Sequence, residues 1–211
     1  MNIALIGASG FIGSALREEA LQRGHRVTAL VSHPDKLQAT DRLSVIKSDV
    51  QDSATLARQL NDFDLVISAF SGHAQNDIHG YYVSGMRAII QASKAAGARL
   101  LVVGGAGSLS VGDDTLLIDT PEFPEAYKAT ARGAQDALRM LREETELNWT
   151  MLSPAAAIFP GERTGHFRLG GDHLLVDDQG QSRISVQDFA VAMLDEAEKP
   201  AHPRQRFTLA Y

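Results

Sequence analysis

The sequence predicts an α/β chain built on one doubly wound parallel sheet, and three observations predict it. Short apolar runs alternate with segments of helical period nearly to the end of the chain. Several of these runs are rich in Val, Ile and Leu without polar alternation, as expected of strands covered on both faces. The spans between them suit crossover helices, which return the chain parallel to itself with right-handed connections.

Taken in order, candidate strands occupy 3–6, 26–31, 43–47, 64–69, 99–103, 150–152 and 206–210. Between the fourth and fifth, Ile78, Tyr82, Met86, Ile89 and Ile90 fall on one stripe of a helix over 77–96. Ala134, Ala137, Leu138 and Leu141 do the same over 124–145. In 186–197 the apolar positions Val186, Phe189, Ala190, Met193, Leu194 and Ala197 follow the spacing of a helix lying on a sheet. Ser185 with Asp188 three residues on reads as the N-cap pair of that helix. Gly24 and Gly97 stand where a helix stops before the next strand. One stretch, 159–180, is rich in glycine and lacks helical period. It reads as a loop and small hairpin, a small C-terminal cap region beside the cleft at the carboxyl ends of the strands, within a single domain spanning 1–211.

Bulk properties narrow the function. The chain has 211 residues, 44% of them hydrophobic and 22% charged, so it can bury a full core. Its formal charge of −6 argues against a nucleic-acid partner, which requires a basic face. The absence of cysteine excludes disulfides, thiolate metal sites and cysteine nucleophiles. No apolar run approaches the roughly 18 residues of a membrane span, and the first residues have no basic leader. A cytoplasmic protein with no membrane partner is expected. The seven histidines show no metal-ligand spacing, and no nucleophile elbow supports a hydrolase.

The chemistry-bearing motif is Gly7-Ala8-Ser9-Gly10-Phe11-Ile12-Gly13, which follows the first strand and opens a helix. Bare glycines let the backbone approach a pyrophosphate, and the last one lets helix and strand pack closely. The free N–H groups of the helix start, aided by its dipole, then face the phosphates; Ser9 adds a hydroxyl. A Rossmann-type dinucleotide site is the expectation. At the end of the second strand no carboxylate stands ready for a ribose diol. Ser32, His33 and Lys36 are there instead and suit a 2′-phosphate, so NADP(H) is the preferred cofactor and NAD(H) the alternative. Equally, 32–35 reads as a simple helix start with Pro34 in its first turn.

The G-x-x-G-x-x-G spacing resembles the extended and atypical short-chain dehydrogenase/reductase superfamily. The resemblance continues through Asp49-Val50, Ser68-Ala69-Phe70, Gly104-Gly105-Ala106-Gly107-Ser108-Leu109, Ser153-Pro154-Ala155-Ala156, Pro160–Gly165 and Ser182–Ala190. Over nearly the whole chain it is similar to the small NADH-flavin reductases, relatives of NmrA-type proteins and of flavin and biliverdin reductases. This resemblance implies that Asp49 and Val50 meet the adenine and that Ser68, Ala69 and Phe70 pass the ribose. It also implies that Gly104, Ser153 and Pro154 line the cofactor further along. Relatives often carry an arginine where this chain has Ser32.

The superfamily's usual Tyr-x-x-x-Lys pair is missing. Four residues after Tyr81, Tyr82 and Tyr127 stand Gly85, Met86 and Ala131, and Tyr211 ends the sequence. Ketone reduction and the sugar epimerase or dehydratase reading, which use that pair, lose their proton relay. A flavin-like or quinone-like acceptor spreads incoming charge over its rings and takes its proton from water, so it needs no such acid. Ser108, Tyr127 and His166 are the candidate catalytic groups beside this small-molecule acceptor. A non-catalytic NADP(H) sensor of the NmrA type fits the missing pair about as well. Monomer and homodimer are both open.

Overall fold

The computed structural model describes residues 1–73, 76–112 and 114–211. In chain order its elements are β1 (Asn2–Ile6), α1 (Phe11–Gln22), β2 (Arg26–Val31), β3 (Leu43–Lys47), α2 (Ser53–Gln59) and β4 (Leu65–Ser68). There follow α3 (Ile78–Ala95), β5 (Arg99–Val103), β6 (Ser110–Gly112), β7 (Thr115–Leu116) and α4 (Glu125–Glu143). The chain closes with β8 (Trp149–Ser153), β9 (Ala157–Phe159), β10 (Arg168–Gly170), β11 (Arg183–Ser185), α5 (Val186–Glu198) and β12 (Gln205–Ala210).

The main sheet has eight strands in the order β10-β12-β8-β5-β4-β1-β2-β3. All neighbours pair in parallel except β10, which runs antiparallel on β12. From β1 the chain moves outward through β2 to β3, then crosses back to β4 on the other side of β1. That reversal parts the loops at the carboxyl ends of β1 and β4 and opens a crevice there.

Both faces of the sheet are covered, which explains the unbroken apolar runs. Along β1, Ile3 and Leu5 join Leu16 and Ala20 of α1 and Phe189 and Met193 of α5 on one face. The intervening Ala4 and Ile6 join Leu56 of α2, Met86 and Ile89 of α3, and Leu138 and Leu141 of α4 on the other. Each fully buried Leu, Ile or Phe contributes about 1.5–3 kcal/mol, so the alternation fixes which face each strand side chain must take. No helix among the described residues is long and apolar enough to cross a membrane.

The expected helices hold to within a residue or two, with Asp77 capping α3 by accepting from the Gly80 N–H at 2.9 Å. Gly24 and Gly97, at φ 84° and 65°, end α1 and α3. Helix α2 lies outside the sequence expectation, because seven residues are too few to show a period; Asp52 caps it through the Thr55 N–H at 3.0 Å. The Ser185–Asp188 pair forms only half of a reciprocal cap. Ser185 Oγ accepts from the Asp188 N–H at 3.0 Å, but the Asp188 carboxylate turns elsewhere.

The 159–180 stretch, expected as a loop and small hairpin, carries β10, whose partner is β12 rather than a neighbour in the stretch itself. On either side of it, β9 and β11 pair in parallel as a separate two-stranded sheet. A tight turn over 177–181 holds its end, with the Asp177 carboxylate accepting from the Gln179 and Gln181 N–H groups at 2.9 and 2.8 Å.

Candidate functional site

Gly7 sits at φ +78° directly after β1, and its N–H still reaches across to the Leu30 carbonyl at 3.1 Å. A Cβ on Gly7 would stand 2.5 Å from the Ala69 carbonyl oxygen, so the β1 and β4 loops touch at the base of the crevice. A Cβ on Gly13 would overlap the Gly7 carbonyl, which explains why helix α1 rises so close to the strand. At Gly10 a Cβ would meet only the Gly7 oxygen, at 3.4 Å, so nothing in the fold itself forbids a side chain there.

Gly10 is the N-cap of α1, has no side chain to cap with, and no acidic residue occupies the first turn. The N–H groups at Phe11, Ile12 and Gly13 therefore end in no side-chain acceptor, and the dipole of a twelve-residue helix points its positive end there. Ser9, Gly10 and Phe11 are exposed above the turn. This donor set fits a pyrophosphate, whose oxygens only accept.

Ser32 and His33 follow β2 and are exposed, with Ser32 Oγ 2.9 Å from His33 Nδ1. Lys36 lies exposed in the short 3-10 turn Pro34–Lys36. Asp49 is exposed after β3, and its carboxylate accepts the Gln51 N–H at 2.9 Å; the cap of α2 is Asp52 instead. Val50 is buried. A concavity bordered by Gln51, Asp77, Tyr81 and Ser84 adjoins this turn. Phe70 wedges beside it: its ring lies 5.7 Å from Tyr82 in a near-parallel stack and 5.5 Å from Tyr81. Burial pushes the Tyr82 hydroxyl up, and burial together with Asp49 raises Tyr81, so neither yields a proton near neutral pH.

Two expected cofactor residues turn their side chains inward. Ser68 is 1% exposed and its hydroxyl contacts Met86 Sδ at 3.8 Å, leaving only backbone at that strand end for a ligand. Ser153 is fully buried, as is Pro154 after it. Gly104 remains half-buried at the end of β5, its N–H donating to the Leu152 carbonyl at 2.8 Å.

The three candidate catalytic residues do not gather into one cluster. Ser108 ends the 3-10 turn Ala106–Ser108 after β5 and is half-buried. Tyr127 is 61% exposed on the first turn of α4. One turn on, Ala131 stands where a Tyr-x-x-x-Lys pair would place lysine. It is buried against the 3-10 turn, its Cβ 2.8 Å from where a Gly107 Cβ would lie. Lys128 points instead to Glu125 at 2.7 Å. His166 is exposed in a different neighbourhood, where Thr164 and Gly165 donate to Asp188 at 2.6 and 2.8 Å. Its N–H rests on Thr164 Oγ1 at 3.1 Å.

Sequence reasoning missed Arg206. Its guanidinium is 2% exposed beneath Ser108 and Ser153, held by Asp172 through Nε at 2.5 Å. The available signal was a charge inside an otherwise apolar strand of a covered sheet. It also missed the buried Glu19, gripped by Arg23 at 2.7 Å and by Arg163. No group of three or more potential metal ligands occurs among the described residues.

Comparison with known proteins agrees with this geometry. A sequence model of the family described as NAD(P)H-binding matches residues 7–197. The uncharacterized protein YwnB of Bacillus subtilis is 42% identical over 212 residues, covering 99% of this chain and 98% of its own length. A Bacteroides thetaiotaomicron structure, provisionally named an epimerase, superimposes with a TM-score of 0.93 at 44% identity, over 100% of this chain and 96% of that one. A Streptococcus pneumoniae structure, provisionally named an NADH-flavin reductase, does so with a TM-score of 0.89 at 38% identity, over 100% and 99%. The two names differ in chemistry although the folds coincide, so the reaction must be read from this chain's own side chains.

Proposed function

The chain belongs to the NAD(P)H-binding family, and on that premise we propose that it is an NAD(P)H-dependent reductase of a flavin-like or quinone-like acceptor, with NADP(H) preferred. One observation carries the reading. The carboxyl edge offers a cradle of uncapped backbone donors, while Ala131 occupies the place of the proton-relay lysine.

In this reading Gly7, Gly10 and Gly13 and the start of α1 hold the pyrophosphate, and Ser32, His33 and Lys36 hold the 2′-phosphate. The turn at Asp49-Val50 and the backbone at Ala69 border the adenosine half. Bound there, the reduced nicotinamide supplies a hydride, which is the difficult part of the chemistry. The protein then has to orient the acceptor, exclude water and offer hydrogen-bond donors. Among the candidates, Ser108 is a hydroxyl in the turn after β5 with a cation behind it. An acceptor with delocalised charge draws its proton from water, which matches a site without a tyrosine–lysine relay.

The test is purified protein with NADPH or NADH and, in turn, FMN, riboflavin and menadione, followed at 340 nm. Turnover with at least one acceptor, faster with NADPH, is expected. Cofactor binding without turnover of any acceptor would instead indicate a sensor of the NmrA type, which the missing pair also suits.

A further inference from the structure

Arg206 is the second residue of β12, paired in register with Met151. Its guanidinium is almost wholly removed from water, yet every donor has a specific target. Nε meets Asp172 Oδ1 at 2.5 Å, and Nη2 reaches the same oxygen. Nη1 lies 3.3 Å from Ser108 Oγ and 3.4 Å from Ser153 Oγ, and Nη2 lies 3.4 Å from the Ser108 carbonyl. Arg142 also reaches Asp172 Oδ1, at 2.9 Å. Two guanidiniums therefore share one carboxylate; Arg142 and Asp172 are half open to water, and Arg206 alone is buried.

A buried cation is costly to desolvate and is weak as a device for stability alone. Its placement gives it another use. A guanidinium only donates, so Ser108 Oγ accepts from Arg206 and its own O–H is left to point away. Ser153 is sealed in the core, whereas Ser108 is half-buried in the 3-10 turn after β5, so of the two hydroxyls only Ser108 is open to a ligand. A hydroxyl that accepts from a cation is a stronger donor, and the low-dielectric surroundings amplify this.

We propose that Ser108 and Arg206 form an anion-stabilising pair at the acceptor site, with Ser108 donating to an acceptor oxygen that becomes negative and Arg206 polarising it from behind. The ligand class is a planar conjugated molecule bearing an enolate-type or phenolate-type oxygen. The inference rests on the reductase reading above and supplies what the absent tyrosine–lysine pair would have supplied, a polarised hydroxyl backed by a cation. The transferred hydride brings two electrons and one proton to the acceptor and leaves it an anion; water provides the second proton. Ser108 therefore ends the cycle unchanged, as a hydrogen-bond donor rather than an acid. Arg206 is a positioning residue that acts through Ser108.

The test uses the full chain without cofactor and 2-hydroxy-1,4-naphthoquinone, an enolate at neutral pH, with menadione as the neutral partner. Calorimetric titration should show the enolate binding more tightly than menadione. Ser108→Ala should weaken enolate binding about tenfold, the worth of one charge-assisted hydrogen bond. Arg206→Met should weaken it at least as much, and Arg206→Lys should restore part of the loss. Menadione binding should change little throughout. In turnover assays Ser108→Ala should lower kcat for menadione more than it raises KM.

Equal enolate affinity in wild type and Ser108→Ala, or no preference for the enolate in wild type, would overturn the pair. If Arg206→Met fails to fold, Ser108→Ala and Arg206→Lys decide the question alone. An undiminished kcat in Ser108→Ala sinks the pair and leaves the reductase reading standing. A wild type that binds NADPH and, through Ser108, the enolate, but turns over nothing, sinks the reductase reading and keeps the binding site.

Discussion

Arg163 grips Glu19 with two hydrogen bonds, Nε to Oε2 at 2.7 Å and Nη2 to Oε1 at 2.8 Å. This pair ties the 160–166 stretch to the middle of α1, a hundred and forty-four residues away in sequence. Glu19 is 5% exposed and Arg23 holds its other side. Replacing it by Gln leaves both arginines facing a neutral amide. Arg163 is half open to water, and Arg23 keeps Asp195 and Glu198, so the cost is about 2–3 kcal/mol, below that of a wholly buried pair. Thermal unfolding of Glu19→Gln should fall by about 4–10 °C.

The same carboxylate gives the stability a pH dependence of known sign. Hydrogen bonds from Arg163, the largest influence, hold Glu19 below its ordinary value of 4.5 against the opposing effect of burial, and Arg23 adds to them. A carboxylate whose pKa is lower in the folded state stabilises above its unfolded pKa and loses that contribution as pH falls through the folded one. Wild type and Glu19→Gln should therefore differ fully at pH 6–7. The gap in unfolding free energy should close below about pH 4. A constant gap down to pH 3 would show that packing, not charge, sets the difference.

Asp188 fixes the same stretch from the other side. It is fully buried and accepts from Thr164 Oγ1 at 2.6 Å, the Gly165 N–H at 2.8 Å and Tyr211 Oη at 2.8 Å, all neutral donors. Asparagine would turn one acceptor oxygen into an NH2 group facing donors. Asp188→Asn should cost about 2–3 kcal/mol, and Tyr211→Phe about 1 kcal/mol. Limited proteolysis should cut Asp188→Asn within 160–166 sooner than wild type, while NADPH affinity changes little. Loss of NADPH binding in this variant would place the stretch on the cofactor instead.

Glycines of one turn should separate into two classes. Gly7→Ala meets both a positive φ and the Ala69 carbonyl at 2.5 Å, so it should destabilise by at least about 2 kcal/mol and abolish cofactor binding with it. Gly10→Ala has ordinary contacts at φ −77° and costs about 0.5–1 kcal/mol as an N-cap change, well below the cost at Gly7. Its methyl stands above the uncapped N–H groups. NADPH titration should show a loss of about tenfold or more, with a fall in unfolding temperature of no more than about 4 °C. Normal affinity in Gly10→Ala would remove the pyrophosphate from this turn.

How much was legible in the sequence follows from how local each signal is. The strands of the parallel sheet, the helix ends at Asp77, Gly24 and Gly97, and the glycine turn all rest on neighbours within one or two turns of chain. The pairings of β10 with β12 and of β9 with β11 join three-residue strands distant in sequence, too short to carry a period. Ser68 illustrates a finer limit: a strand end was identified, but the period-two alternation sends its side chain into the core towards Met86. Ser108 was singled out as a candidate catalytic group, whereas its partner Arg206 lies 98 residues on, in a strand that pattern reading treats as apolar. His166 and Ser108, expected together beside the acceptor, have separate sets of partners.

The ribose end of the cradle carries the choice between cofactors. Ser32, His33 and Lys36 are exposed beyond β2, and no carboxylate stands at the strand end itself, where one would select a free ribose diol; Asp35 lies further on, in the 3-10 turn. Ser32→Asp places a negative charge beside the proposed 2′-phosphate site and restores an acceptor for two hydroxyls. NADPH affinity should fall at least about tenfold, one charge repulsion in partly screened solution, while NADH affinity rises. Lys36→Ala should weaken NADPH by a smaller factor and leave NADH unchanged, and added salt should narrow the NADPH difference because these groups are open to solvent. Fluorescence titration of both reduced cofactors measures each constant. If wild type already binds NADH tenfold more tightly, the polar trio is only the start of the Pro34–Lys36 turn and the cofactor preference reverses.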